Sequence, residues 1–358
     1  MAKKEGVKLL RNAVTLVEAE RCEQEVLEER VTVFRLEASL AHATGGDTGR
    51  DEQSQTRMKR TSSRLLASGL TRPLRRPPQN WQMRIDSLAQ QFPNFASLIK
   101  TVVRPHIGLT SRGIEHRLPP ILLAGPPGVG KTFFANALAG VLGVGLPLFI
   151  SMASESNGSS LAGSSTFWAN SSPGRLFELL AWGRSFEVPI ANPLILLDEI
   201  DKVQFRNVQH DPLGALYTLL EVETARHFTD QSLHDVGIDT SFCRIIATAN
   251  DLSNVPELIR SRTLVFEVAE PSRHQLTEII RGMYLDLALK FNFDSTAKLP
   301  PRLIDAALTM SPREVKVRLE CAVASAYVDG RNSVNFSDWP AIAASVPTVR
   351  RQPIGFTA

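Results

Sequence analysis

Cysteine is scarce in this chain of 358 residues: there are three, Cys22, Cys243 and Cys321, and no two of them form a C-x-x-C pair. That spacing argues against a disulfide framework and a cysteine-based zinc site, and it fits a reducing compartment. No apolar stretch follows the charged start Met1-Ala2-Lys3-Lys4-Glu5, so a secretory leader is not expected. A membrane-spanning run is missing as well. The uncharged stretch from Thr132 to Ser154 is cut by Gly140, Gly143, Gly145 and Pro147 into pieces shorter than the ~20 residues a spanning helix needs. Charge of one sign is not in excess, with 40 Lys and Arg against 37 Asp and Glu, so the net +3 says little about partners. Repeats of solenoid period are also lacking. The expectation is a soluble, cytoplasmic protein with no membrane partner. At roughly 150 residues per domain, its length suggests two domains and an appendage.

What is present changes character along the chain. Between Val7 and Ala41 there is no Gly or Pro. Here Leu10, Val17, Leu27, Val31, Phe34, Ala38 and Ala41 share a stripe at helical spacing, which predicts an amphipathic N-terminal helix over 1–41. Residues 42–83 are polar and end in the extended run Leu70–Pro78, which predicts a flexible basic linker. Between residues 50 and 76 that linker carries Arg50, Arg57, Lys59, Arg60, Arg64, Arg72, Arg75 and Arg76 against Asp51 and Glu52. Such a tether can grip nucleic acid or an acidic partner. The alternative is a solvated connector, and the absence of any aromatic in the linker before Trp81 favours it.

From residue 84 to 270 short apolar runs alternate with helical patterns. Pro120–Ala124, Leu148–Ser151, Pro193–Leu197 and Arg244–Thr248 read as buried strands, and Lys131–Leu142, Arg175–Phe186 and Leu213–Glu223 as helices. The alternation predicts an α/β fold, a parallel sheet sandwiched by helices. Beyond it only helices are expected, at Arg273–Leu289, Pro301–Met310 and Pro312–Asp329, giving a small all-helical domain over 271–345 and a tail over 346–358.

Gly125-Pro126-Pro127-Gly128-Val129-Gly130-Lys131-Thr132 fits G-x-x-x-x-G-K-[ST] between a predicted strand and a predicted helix. Glycines let backbone N–H groups wrap phosphates, the helix start adds its positive end, and Lys131 reaches the terminal phosphates. Thr132 is placed to hold Mg²⁺. Leu194–Leu197 leads into Asp198 and Glu199, adjacent carboxylates at the carboxyl end of a parallel strand, where ligands of such sheets sit. Asp198 is expected to position Mg²⁺ and Glu199 to activate the attacking water. Arg244-Ile-Ile-Ala-Thr-Ala-Asn250 is a further strand ending in a polar group, suited to hydrogen-bond a γ-phosphate or the water. Arg260 and Arg262 follow, and an arginine here can reach a neighbouring subunit's γ-phosphate. A plain surface arginine is the alternative.

In this order GPPGVGKT, LLDEIDK, ATAN and Pro256 to Arg262 resemble an AAA+ ATPase. Asp211 to Glu221, Phe228-Thr-Asp230 and Ile245 to Asn250 resemble, more narrowly, the ATPase module of Lon-type proteases. The resemblance spans roughly 84–340. It implies a P-loop α/β domain with a four-helix lid, ATP and Mg²⁺ as cofactors, and a homo-oligomeric ring, usually of six, with ATP between subunits. Carried over, Walker A falls on Gly125 to Thr132, Walker B on Asp198 and Glu199, the first sensor on Asn250 and the arginine finger on Arg262, with Arg260 as the lesser choice. The second sensor falls on Arg313, just after Pro312 at a helix start, or else Arg313 is an ordinary helix-start arginine. The family's pore-loop aromatic falls on Trp168, beside Phe167, in the small polar run Gly163–Ser172. Large aromatics in such a loop can grip an unfolded polypeptide by contact area, the alternative being a buried anchor.

The family's proteolytic domain is not expected to follow, because few residues remain after Arg313. The expected activity is therefore ATP hydrolysis without proteolysis, coupled to remodelling or threading of a protein client. The alternatives are a nucleic-acid-acting ATPase and an ATP-dependent switch in a larger assembly.

Overall fold

The computed structural model describes residues 29–36, 52–114, 116–155, 158–164, 171–184, 187–203, 211–293 and 298–340. The described strands are β1 (Arg30–Thr32), β2 (Phe34–Leu36), β3 (Thr71–Pro73), β4 (Ile121–Ala124), β5 (Leu148–Ser151), β6 (Leu194–Asp198), β7 (Phe228–Asp230), β8 (Leu233–Ile238), β9 (Arg244–Ala249) and β10 (Leu264–Glu267). Five of them form a sheet in the order β10-β4-β9-β6-β5 with every neighbouring pair parallel, the expected α/β arrangement.

Period-two alternation divides each central strand between two cores. Leu194 and Leu196 of β6 face one cluster with Ile121 and Leu123, while Ile195 and Leu197 face the other with Leu122. Both faces of the sheet are therefore apolar, which is why its strands read as continuous hydrophobic runs. Helices α1 (Glu52–Ser68), α2 (Trp81–Gln91), α3 (Arg104–Thr110), α4 (Lys131–Leu142), α5 (Arg175–Trp182) and α6 (Gly214–Leu219) accompany the strands. Helix α4 has the predicted bounds. Helix α5 stops four residues short of its expected end because Gly183 turns to φ 70°, where a side chain would collide with the carbonyl of Glu187. The helix expected over Leu213–Glu223 breaks at Glu221, which is extended, and resumes as a short turn at Val222–Ala225.

Two expectations for the N-terminal part need correction. Residues 30–36, assigned to the amphipathic helix, form strands: β1 pairs with β3 and β2 pairs with β8, both antiparallel. Val31, Thr32 and Val33 are β-branched, and Val33 and Phe34 are fully buried, with Phe34 edge-on to Phe177 at 5.7 Å. Apolar residues three apart mimicked a helical stripe, but cross-strand burial won. The rest of that helix, 1–28 and 37–41, lies outside the described residues.

The segment 42–83 is not simply a flexible linker. Its residues 52–68 form α1, whose Leu65 is fully buried, and Thr71–Pro73 is β3. Arg72, read as part of a basic tether, is 1% exposed. Its guanidinium donates to the carbonyls of Leu180 (2.6 Å) and Ala181 (3.0 Å) at the end of α5, and to those of Gly69 and Thr71 (both 2.7 Å). A cation at a helix carboxyl terminus satisfies carbonyls the helix itself leaves unpaired. Burial and the nearby Arg30 pull the Arg72 pKa down to about 10, so it stays charged at neutral pH.

The chain divides into two compact units, 1–270 and 271–358. The second contains α7 (Arg273–Lys290), α8 (Pro301–Ala307) and α9 (Pro312–Val328), with no strand among its described residues. Leu276, Ile280 and Tyr284 of α7 share a core with Leu303 of α8 and Val315, Leu319 and Val323 of α9. Reciprocal capping boxes, Ser272 with Gln275 and Ser311 with Glu314, start the two long helices.

Candidate functional site

Strand register brings the polar residues together. Ala124 pairs with Ala249, so Gly125 and Asn250 leave adjacent strands side by side, and the Gly125 N–H donates to the Ala249 carbonyl at 3.2 Å. Leu197 pairs with Ala247, which sets Asp198 beside Thr248. All these residues lie at the carboxyl end of the parallel sheet.

The loop from Gly125 to Gly130 needs its glycines. Gly125, Gly128 and Gly130 take φ values of 154°, 88° and 97°, and a side chain on Gly125 would strike the Val268 carbonyl. Asn94 donates to the Val129 carbonyl at 3.2 Å and to that of Ala269 at 3.4 Å, so residues outside the motif brace it. Next to Asn94, Phe92 lies 5.5 Å from both Phe133 and Phe134 of α4.

Lys131 is buried at the start of α4, and its ammonium donates to the carbonyls of Gly125 (2.6 Å) and Pro126 (2.9 Å) and to Asn250 Oδ1 (2.9 Å). Burial pulls its pKa down, while Asp201, Asp198 and Glu199 oppose that fall. Asp198 Oδ1 accepts from Thr132 Oγ1 at 2.6 Å and from Thr248 Oγ1 at 2.8 Å. Thr248 in turn accepts from the Glu199 N–H at 2.9 Å. Glu199 has φ 57°, one of two non-glycine residues with positive φ among those described. Such a conformation costs on the order of 1–3 kcal/mol, and it turns Glu199 away from the strand that delivers Asp198.

These residues fit a nucleoside triphosphate with Mg²⁺. The loop can cradle phosphate oxygens, the Lys131 ammonium stands at its mouth, and Thr132 with Asp198 offers the hard oxygen donors that Mg²⁺ takes alongside substrate phosphates. No cluster of three or more His, Cys, Asp or Glu suited to a metal occurs among the described residues.

Other predicted residues stand apart from this constellation. Arg262 pairs with Glu221 of the same chain, Nε to Oε1 at 2.5 Å, and Nη1 donates to the Leu258 carbonyl at 3.2 Å. Arg260 is exposed at the end of the turn Glu257–Arg260. Arg313 is exposed in the first turn of α9, within the second unit. Phe167 and Trp168 lie outside the described residues. The ends of their loop are described: the Ser164 N–H donates to the Ser172 carbonyl at 3.0 Å, and the Gly174 N–H to buried Asp230 Oδ2 at 2.7 Å. Burial raises the Asp230 pKa, opposed by hydrogen bonds from Ser232 and Gly174.

Sequence reasoning did not single out Thr248, Asn94 or Asp201. Thr248 was legible by alternation, since it lies two residues before Asn250 on the same face of β9. Asp201 has a fully buried side chain, accepts from the Asp251 N–H at 3.3 Å, and lies 3.6 Å from Lys202 Nζ. Asn94 had no signal, because its role depends on a contact with a loop 35 residues away.

Residues 121–270 match the family described as "ATPase family associated with various cellular activities (AAA)". The Lon protease of Mesomycoplasma hyopneumoniae is 30% identical over 206 residues, covering 57% of this chain and 23% of that protein. A mitochondrial Lon protease homolog of Yarrowia lipolytica is 37% identical over 149 residues, covering 42% of this chain and 12% of that protein. The chain thus spans less than a quarter of the length of these relatives. Among solved structures, a closed-state reconstruction of Hsp104 with ATPγS and FITC casein aligns with a TM-score of 0.55 at 16% identity, covering 72% of this chain and 50% of that one, a likeness of fold. The chain carries an AAA+ ATPase module that resembles the one in Lon.

Proposed function

We propose that this AAA+ module hydrolyses ATP at an interface between copies of the chain, in a ring usually of six, and uses the cycle to remodel or thread a protein client. The observation that carries the hydrolytic part is the shared Asp198 carboxylate, bonded at once to Thr132 and Thr248, with Lys131 on Asn250 beside it. Thr132 and Asp198 would hold Mg²⁺, which when bound would supply positive charge to neutralise the phosphates. Lys131 exchanges loop carbonyls for phosphate oxygens, and Asn250 orients the γ-phosphate or the water. Glu199, held in its turned conformation by Thr248, takes the proton of that water.

Arg262 reaches a neighbouring copy's γ-phosphate only by leaving Glu221, so the ion pair sets a resting position for the finger. Arg313 of the second unit acts as a second nucleotide sensor. Coupling to a client is supported by the Lon and Hsp104 likenesses and by the closed base of the loop bearing Phe167 and Trp168. The basic segment leaves nucleic acid as a second partner class, although Arg72 is unavailable for it.

Glu199→Gln tests both halves. The variant is expected to bind ATP normally and to lose hydrolysis by about 10²–10⁴-fold. Purified from cells with ATP, it should appear as a ring holding polypeptide, and Trp168→Ala in the same background should lose that polypeptide. Wild-type turnover by Glu199→Gln removes the base assignment, and rings that carry nucleic acid in place of polypeptide remove the client.

A further inference from the structure

The amino end of the parallel sheet holds a cavity of about 480 Å³, within the range of small-ligand sites. It opens where the central strands begin: Arg117 precedes β4, Asn192 precedes β6, and Arg244 is the first residue of β9. At about 3.3 Å per residue, Arg244 lies roughly 20 Å along β9 from Asn250, so this cavity is distinct from the phosphate loop. Arg75, Arg76, Arg117, Arg226, Arg244 and His116 line it.

Among the described residues the acids on its wall are Glu29 and Asp239, and both are already engaged. Glu29 lies 3.8 Å from Arg76, and Asp239 pairs with Arg35 at 3.4 Å while accepting from the Ser241 N–H and hydroxyl. Arg226 also pairs with Glu223. Among its described residues the wall keeps an excess of positive charge.

One group shows that this charge is incompletely answered within the protein. Arg117 donates Nη2 to the Leu219 carbonyl at 2.7 Å, but Nε and Nη1 are shielded from solvent and have no hydrogen-bond partner among the described residues. Unpaired buried donors are costly and call for a ligand, water or ion. Beside the cavity, His106 is 1% exposed and both its ring nitrogens also lack partners. Its ring lies 5.5 Å from that of His116. Burial, with Arg244 and His116 nearby, pushes its pKa down to about 3, so it adds no charge of its own.

We propose that this cavity binds a small, multiply charged phosphoanion, with its oxygens taken by Arg117 and the neighbouring guanidiniums. Several planar guanidiniums around one space match phosphate oxygens in pairs, which a single carboxylate would leave largely unused. Ile114 and Phe242 on the same wall provide apolar surface for whatever group the phosphate carries.

The test is calorimetric titration of pyrophosphate into the full chain, with the phosphate loop saturated by ADP and Mg²⁺ and the ionic strength held constant. One further site per chain is expected. Arg117→Gln should weaken it at least about tenfold. Ile114→Glu, at a position 51% exposed, should do the same by placing a negative charge on the wall, and it decides the matter if Arg117→Gln does not fold. Arg60→Gln, on the exposed side of α1, should bind as the wild type does. Absence of binding by the wild type, binding unchanged in both wall variants, or binding lost only in Lys131→Ala each overturns the proposal.

Discussion

Both ends of the parallel sheet bury a cation, Lys131 at one and Arg244 at the other, yet they treat their positive charge differently. At the carboxyl end Lys131 meets three acceptors, and Asp198, Glu199 and Asp201 lie close by, so burial and attraction oppose each other. At the amino end Arg117 keeps two buried N–H groups unpaired and His106 two unpaired nitrogens. A site that exchanges its ligand every cycle needs internal partners for its cation between turnovers. A site with unanswered donors is better matched to steady occupancy. The amino end also holds the segment 219–221, from one side by Arg117 through the Leu219 carbonyl and from the other by Arg262, just before β10, through Glu221.

The largest effect expected to sharpen this contrast is at Arg262. If its Glu221 pair is only a resting position, Arg262→Ala should lower ATP hydrolysis by about 10³-fold while nucleotide binding by the dilute chain is retained. Near-normal turnover would make the ion pair a purely structural contact. A smaller effect is expected at Thr248, where Thr248→Val strips one partner each from Asp198 and the Glu199 N–H. The expected outcome is a fall in kcat of about tenfold with little change in KM for ATP, recovered by Thr248→Ser. A uniform rise in KM instead would place Thr248 in binding.

The smallest effect belongs to the other end of the sheet. The His106 pKa is about 3 in the fold, against an ordinary value of 6.5. As pH falls below 6.5 the unfolded chain takes up this proton first, so the contribution of neutral His106 is full above that pH and fades toward pH 3. Its slope is about 1.4 kcal/mol per pH unit in the middle of that window. Denaturant unfolding at pH 7, 6 and 5 should therefore show a shallower loss for His106→Phe than for the wild type. Equal slopes would mean that the imidazole is not held neutral.

The nucleotide end was largely legible in sequence. Gly125 to Thr132 is a contiguous motif whose conformation follows from glycine's tolerance of positive φ and from a helix that begins at Lys131. Continuous apolar runs announced strands covered on both faces, and Gly130, Lys131 and Thr132 fell where the spacing put them. The N-terminal part was not legible. Val31 and Phe34 repeat at a spacing that suits a helix as well as a strand, and nothing local indicates a partner strand at 233–238. Arg72 looked solvated among its basic neighbours, whereas the end of α5 needed a cation for its carbonyls. The amino-end cavity was hidden for the same reason, since its arginines come from segments scattered between residues 75 and 244.

Local chemistry written along a few adjacent residues was enough to specify the phosphate loop, the acidic strand end and the alternation of strands with helices. Folding in three dimensions settled which strand meets which, which arginines are consumed as structural donors and which remain unanswered. The physical reason is that burial and hydrogen bonding are shared between distant segments, as in the pairing of Arg35 with Asp239 across 204 positions, and no short window of sequence contains both partners.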